Sequence, residues 1–456
     1  MIRLIPPYQH DGVRWLLKRE RSTVPGGFLC DEMGLGKTVQ MLKAMVENKK
    51  SKTLVVVPKS LISQWDSEVK RFTKFSVEKF EGTNRKLIGS EVCIACYSIL
   101  DDPQLCDVKW DRVILDEAHF IRNPNTKVFK ACIKIRAGIR WVVTGTPIFN
   151  NIKDFITLSK FVGISAGDIQ RDYDRIRSDF VIRRTKADMR VKMVPCTFEN
   201  VELIMGEEEK TLYAEVYEDF CDKIKFGANM MDILETFLRC RQICVWPQLY
   251  YDGLTRKGIE DAGKWKLDTT VKLDYLINSI RTHPTEKTLV FTQFTGESRK
   301  IKSMLETDGT HVFILDGSTV NREDVIESFK NAPTPAVFVI QIKTGGVGLN
   351  LQEASRVYIT HPAWNPATEM QAIARSHRNG QTKVVHVKKL LYVHDTSIET
   401  EIVELQNAKA YVCAKILNDP SLAVQIPKVQ TVSKFIFKIG KRLRITDHEK
   451  SPPPSH

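Results

Sequence analysis

Asp31-Glu32-Met33-Gly34-Leu35-Gly36-Lys37-Thr38 reads as a phosphate loop. Gly34 and Gly36 let the backbone approach phosphate oxygens, and the helix that follows presents its amino end to them. Lys37 is placed to contact β and γ phosphates, and Thr38 to ligate magnesium through its hydroxyl. The run departs from the general G-x-x-x-x-G-K-[ST] pattern, because Asp31 holds the place of the first glycine. A Gly-rich turn before a helix is the alternative for this run taken alone.

Working outward, residues 53–57, 92–96, 112–115 and 140–143 are short β-rich runs. Each ends at a polar or Gly/Pro-containing segment, the pattern of a buried parallel sheet with functional loops at its carboxyl edge. The same alternation returns at 288–292, 312–315, 336–340, 356–360 and 384–388. Between them, from about Ile148 to Asp274, the chain is helix-rich and charged, and 251–258 reads as a loop and hinge region. The expectation is an α/β protein of two parallel-sheet lobes with a helical insertion between them. The expected boundaries are 1–200, 201–275 and 276–417, with a basic, partly disordered tail over 418–456.

The chain has 456 residues, enough for two cores; 42% are hydrophobic and 27% charged. No apolar run is long enough to span a bilayer and the start lacks a signal-peptide core, so neither membrane nor secretion is expected. The net charge of +13 suggests a polyanionic partner. Ten cysteines are scattered through the chain. Cys93 and Cys96 point to opposite faces of a strand, and Cys240 and Cys244 lie one helical turn apart in an apolar stretch. Reduced thiols, an intracellular setting and no structural zinc are expected.

Asp116-Glu117-Ala118-His119 directly follows the strand-like 113–115. A carboxylate at that strand end can hold magnesium, the role read for Asp116. Glu117 beside it can orient and deprotonate an attacking water. A solvated acidic loop is the alternative, weakened because this motif and the phosphate loop need each other.

Together the two runs resemble motifs I and II of helicase superfamily two. The form D-E-M-G-L-G-K-T resembles its Swi/Snf branch, in which aspartate stands where Asp31 stands. Other runs resemble the same family in order. Residues 8–16 resemble the adenine-reading segment, with Gln9 at the adenine edge. Residues 57–65 resemble motif Ia, which implies nucleic-acid contact for Lys59, Ser60, Gln64 and Trp65. Thr144-Gly145-Thr146-Pro147 resembles motif III, and 182–186 the basic segment after the first lobe. Residues 290–294 resemble motif IV, and 315–318 the segment that follows it. Residues 343–351 resemble motif V, which implies strand contacts for Thr344, Gly345, Gly346 and a helix around Asn350, and a nucleotide contact for Gly348. Trp364-Asn365-Pro366 and 371–381 resemble motif VI and its approach. Arg375 and Arg378 are three apart, so on a helix they share one face and could reach the transferring phosphate. Trp65 and Trp364 could stack on bases or anchor the core. Thr344, His361 and Ala374 depart from the family, which bears on coupling geometry and, through His361, on pH dependence.

The resemblance implies two RecA-like lobes that use ATP and Mg2+. It implies translocation on double-stranded DNA and remodelling of protein–DNA complexes, nucleosomes among them, without strand separation. A strand-separating helicase is the first alternative, and Asp31-Glu32-Met33 with Trp364-Asn365-Pro366 stands against it. A scaffold with an inactive motor is the second, and the intact Lys37, Asp116, Glu117, Arg375 and Arg378 stand against that. Cys196, Cys221, Cys240 and Cys244 do not form the zinc pattern of the ubiquitin-ligase insertion some relatives carry. The implied location is the nucleus of a eukaryotic cell, or a replication site or virion if the protein is viral.

Overall fold

The computed structural model describes residues 7–83, 85–145, 152–190, 193–259, 263–345 and 349–417, with backbone alone at 345 and 411–417. Thr146-Pro147, Gly346, Gly348 and the basic tail over 418–456 lie outside the described residues. The chain divides into two compact units, the first running to Met193 and the second beginning at Val194. Among the described residues no helix is long and apolar enough to cross a membrane.

The first unit is built on seven strands: β1 (Gly26–Leu29), β2 (Thr53–Val57), β3 (Val77–Phe80), β4 (Val92–Cys96), β5 (Lys109–Asp116), β6 (Arg136–Val143) and β7 (Val181–Ile182). Their order is β3-β4-β2-β5-β6-β1-β7, and every pairing is parallel. All five residues of β2 are buried, as a central parallel strand covered on both faces requires. Each buried Val or Leu there contributes roughly 1.5–3 kcal/mol by leaving water. The expected runs at 53–57, 92–96, 112–115 and 140–143 all fall in strands.

One buried ion pair fixes the first helix, Pro7–Glu20, beneath this sheet. Arg112 of β5 donates to both oxygens of Glu20, Nε at 2.6 Å and NH2 at 2.7 Å. The Trp141 indole N–H also donates to Glu20, at 2.9 Å. A bidentate pair of this kind is strong, and losing one partner would strand a charge in the core.

The second unit carries six strands: β8 (Cys196–Leu203), β9 (Lys287–Thr292), β10 (His311–Leu315), β11 (Ala336–Gln341), β12 (Ala354–Ile359) and β13 (Val385–Tyr392). Their order is β10-β11-β9-β12-β13-β8, again all parallel. The boundary read at 200 falls inside β8, which pairs with β13 over its whole length. Most of β8 is exposed, as suits an edge strand, so no apolar run announced it.

Helices Glu207–Lys225, Met230–Ile243 and Gln248–Thr255 form an arm of this unit. Tyr213, Phe220, Phe237 and Cys240 share a core with Ile398, Ile402 and Leu405 of the helix Ile398–Leu417. The loop expected at 251–258 is corrected, because 251–255 is helical. Gln248 donates to Asp252 at 2.8 Å, one turn on. Gly253 leaves room for the Arg239 guanidinium, which donates to its carbonyl at 3.1 Å. A Cβ at Gly253 would lie 1.6 Å from that guanidinium. The glycine is a packing residue here, not a turn residue.

Candidate nucleotide site

Strand order gathers the first unit's motifs along one edge. β2, β5, β6, β1 and β7 are consecutive neighbours. Leu29 lies opposite both Val143 and Ile182, Val143 opposite Asp116, and Leu115 opposite Val56. Residues 58–60, 116–119, 144–145, 30–38 and 183–186 therefore leave the carboxyl edge at one level. With strands about 4.8 Å apart, Leu29 and Asp116 are separated by roughly 10 Å, close enough for one triphosphate to touch both loops.

The phosphate loop needs its two glycines. Gly34 and Gly36 have φ of 92° and 77°, a left-handed backbone that side chains disfavour. Gln9 donates to the Leu35 carbonyl at 3.3 Å, so the expected adenine reader lies against this loop. A Cβ at Gly36 would sit 2.6 Å from the Gln9 amide nitrogen. Helix Lys37–Glu47 begins directly afterwards, with Thr38 in its first turn. The Lys37 ammonium folds back over the loop, donating to the Asp31 carbonyl at 2.9 Å and approaching the Glu32 carbonyl at 3.5 Å. Gly145 lies alongside, and a Cβ there would be 3.4 Å from Lys37 Nζ.

Asp31 is fully buried. Its carboxylate accepts from Arg184 Nε at 2.9 Å, from Arg184 NH2, and from the Gln40 amide at 3.0 Å. The neighbouring Arg183 donates to the carbonyls of Cys30 at 3.0 Å and Gly145 at 3.2 Å. The Lys186 backbone N–H donates to Glu32 at 2.7 Å. The basic run after β7 is thus the strap that holds the phosphate loop in place. Sequence reading named Arg183 and Arg184 only as a basic segment and missed Gln40. The available signal was Asp31 itself, since an acid inside a loop packed on a sheet needs a cation.

Asp116 ends β5. Burial, then the neighbouring Glu117, pushes its pKa up to about 6; the Trp65 hydrogen bond and Lys37 act in the opposite direction. Glu117 holds φ at 50°, a left-handed conformation rare for a residue with a Cβ and typical of functional turns. Its carboxylate lies 3.3 Å from His119 Nδ1.

The motif Ia residues separate into two groups. Lys59 and Ser60 are exposed at the carboxyl edge. Gln64 donates to Glu68 at 2.9 Å, one turn further along its helix. Trp65 is 2% exposed, and its indole N–H donates to Asp116 at 2.8 Å. Of the two readings of Trp65 the structure supports the core anchor and not base stacking: its faces are packed in the core and its one polar atom is committed.

In the second unit the carboxyl edge is equally aligned, with Leu315 opposite Ile340, Ile340 opposite Phe291, and Phe291 opposite Ile359. Thr344 and Gly345 lie in the short helix Ile342–Gly345 that follows β11. Among the described residues, 349–351 have no regular structure, so Asn350 itself is not helical as expected. Trp364 is half-buried, packs edge-on against Phe237 at 5.7 Å and sits under Lys409, so it anchors the arm.

Arg375 and Arg378 do not share a helix face. Helix Pro366–Ile373 ends before both. The Leu351 N–H donates to the Arg375 carbonyl at 3.0 Å, which takes that acceptor out of any helix. The Gln381 amide donates to the carbonyls of Gln352 at 2.8 Å and Ala354 at 3.0 Å. These bonds wrap 374–381 onto 349–354 as a series of turns. Arg375 is 6% exposed, and Arg378 donates to the Leu349 carbonyl at 3.4 Å.

His361 is fully buried between Arg241 and Glu399. Burial, then Arg241, holds its pKa down to about 4, so it stays neutral at physiological pH. The pH dependence anticipated through this residue is corrected accordingly.

The Asp31–Thr38 loop and Asp116–Glu117 stand in a region that matches the family model of the SNF2-related domain, over residues 8–178. A second model, the helicase conserved C-terminal domain, matches residues 271–380. The chain is similar to a protein named "probable global transactivator" of Orgyia pseudotsugata multicapsid polyhedrosis virus, 27% identical over 91% of this chain and 92% of that protein. It is also similar to the ISWI chromatin-remodeling complex ATPase of Saccharomyces cerevisiae, 28% identical over 88% of this chain and 40% of the relative. Among solved structures it is similar to a Sulfolobus solfataricus SWI2/SNF2 ATPase core in complex with dsDNA, at 27% identity and a TM-score of 0.41, covering 92% of this chain and 94% of that one. The chain spans less than half the length, 40–46%, of four of the curated relatives it matches.

Proposed function

From its place among the Swi/Snf-type ATPases, the family to which this chain belongs, we propose a DNA-dependent ATPase that moves along double-stranded DNA and remodels protein–DNA complexes without separating the strands. The observation that carries this reading is the gathering of Lys37, on a loop strapped down through Asp31, with Asp116 and Glu117, at the end of β5, along one sheet edge. The excess of 13 positive charges supports a polyanionic track. The relatives named for chromatin remodelling and transactivation support protein–DNA complexes as the target, in a nucleus or at a site of viral DNA.

Lys37 would neutralise the β and γ phosphates and Gln9 would read the adenine. Thr38 and Asp116 offer a hydroxyl and a carboxylate, the hard oxygen donors that fit magnesium. A carboxylate whose burial raises its pKa gains most from a bound cation. The ion, when bound, neutralises charge on the phosphate oxygens. Glu117 would orient and deprotonate the attacking water. Arg375 and Arg378 would stabilise the transferring phosphoryl group, a role worth on the order of 10³–10⁵ in rate. Lys59, Ser60, Thr344, Gly345, Gly346 and Asn350 would track one strand, with Gly348 at the nucleotide.

The test is the ATPase rate with double-stranded DNA, single-stranded DNA and RNA, beside triplex-displacement and duplex-unwinding assays. Stimulation by duplex DNA with displacement of the third strand and no unwinding is expected. Unwinding without displacement would instead favour a strand-separating helicase, and tight DNA binding with no ATP turnover an inactive scaffold.

A further inference from the structure

The ATPase reading gives His361 no role. It follows β12 after Thr360, at the head of the segment 361–375 that ends in Arg375. Arg241 Nε lies 2.7 Å from His361 Nε2. A guanidinium only donates, so Nε2 accepts and the ring proton sits on Nδ1. Nδ1–H then donates to Glu399, whose oxygen is 2.5 Å away. Glu399 also takes both of its oxygens to Lys272 Nζ, at 2.7 and 2.8 Å, and accepts the Tyr392 N–H at 2.7 Å. Arg241, Lys272 and Glu399 come from three different helices: Met230–Ile243, Val271–Arg281 and Ile398–Leu417.

We infer that His361 is a positioning residue, whose simultaneous bonds to Arg241 and Glu399 lock the arginine-bearing segment 361–375 onto the helices of the second lobe. The inference rests on the ATPase reading above.

The lock continues down the segment. The Ala363 N–H donates to Glu369 at 2.7 Å, and its carbonyl accepts from Gln406 at 2.5 Å. The Trp364 carbonyl accepts from Lys409 at 2.9 Å. Asn365 caps helix Pro366–Ile373 through the Ala367 N–H at 2.8 Å. Gln406 and Lys409 belong to the same helix as Glu399, so one helix grips the segment at three points. His361 is the point at which the arm, through Arg241, joins that grip. Ionised aspartate at this position could accept from Arg241 but could not donate to Glu399. The histidine supplies a donor on one side and an acceptor on the other, and with Glu399 it leaves one carboxylate facing two cations.

The test uses the full chain with His361→Asn, Arg241→Met and the double variant. Asparagine is shorter than histidine: with its amide N–H turned to Glu399 it places no acceptor where His361 Nε2 meets Arg241. Each single variant should lower kcat of the DNA-stimulated ATPase about tenfold, the scale set by sub-ångström misplacement of a reacting group. KM for ATP should stay within about twofold of wild type, because ATP binding rests mainly on the first-lobe loop. The double variant should match the singles if the two residues act as one unit. Amide exchange across 361–375 should rise in Arg241→Met, and the His361 15N shifts of the wild type should report a neutral Nδ1–H ring. Unchanged exchange with additive losses of kcat would overturn the inference, as would a fall in kcat that follows only the lost folded fraction. A wild-type chain with no ATP turnover would overturn the ATPase reading instead, and the exchange and 15N measurements would still decide the lock.

Discussion

The indole N–H of Trp65 donates to the Oδ2 of Asp116 across 2.8 Å, from 51 positions away in the chain. The motif expected to meet DNA thereby touches the carboxylate expected to meet magnesium. Trp65→Phe keeps the ring and removes the donor. A hydrogen bond to a charged group is worth about 1.5–3 kcal/mol, so kcat should fall by about tenfold or more. The affinity for duplex DNA should hold within about twofold. A stacking role for Trp65 would instead leave kcat near wild type, because phenylalanine still offers a ring to a base; a phosphate-release assay beside a fluorescence DNA titration of the same variant separates the two.

Asp31→Gly restores the residue found at this place in the general phosphate-loop pattern, and it should nevertheless harm this protein. The change leaves Arg184 and Gln40 without the buried carboxylate they bond. Urea denaturation should show a loss on the order of 3 kcal/mol, and KM for ATP should rise as the loop loosens. A variant as stable as wild type would show that the strap is not needed.

Glu117→Gln should retain nucleotide binding and lose turnover. The amide preserves shape on the left-handed turn and removes the base. A fall of about 10²–10⁴ in kcat is expected, the range for a general base, with Kd for ATP nearly unchanged. Isothermal titration beside a phosphate-release assay separates the two quantities.

Glu297 gives a pH dependence whose sign is fixed. It accepts from the backbone N–H groups of Gln293 at 3.0 Å and Phe294 at 3.2 Å and from the Thr360 hydroxyl, and burial pushes its pKa up to about 7 from 4.5. The folded state then binds this proton more tightly than the unfolded one. Its contribution to stability is fully present below about pH 4.5 and is lost as pH rises through about 7. Glu297→Gln can satisfy the same three partners and does not titrate. Denaturation at about pH 5 and about pH 8 should therefore differ less in the variant than in wild type, by on the order of 2 kcal/mol.

Much of the fold was legible because central parallel strands are continuous apolar runs. Thr53–Val57 and Ala336–Gln341 are of that kind. β1 was not legible, since two of its four residues are glycines, and β8 was not because an edge strand keeps polar, exposed positions. The placement of Lys37, Asp116 and Glu117 at element ends was legible because each belongs to a short local residue pattern. What stayed hidden depends on partners distant in sequence. The helix assumed under Arg375 and Arg378 is ended by Leu351 and Gln381, and the spacing of two arginines carries no trace of those bonds. Trp65 read as a core anchor more readily than as a stacking platform, and Asp116 beside its nitrogen is what decides between them.

β8 also determines where the second lobe can be cut away from the first. A fragment begun at residue 201 would discard most of the strand that covers β13, leaving that strand's hydrogen-bonding edge exposed to any neighbouring chain. An open edge of this kind invites strand-to-strand aggregation. A fragment begun at Val194 keeps the strand, and with it the Val194 carbonyl that lies 2.9 Å from His377 Nε2, one residue before Arg378.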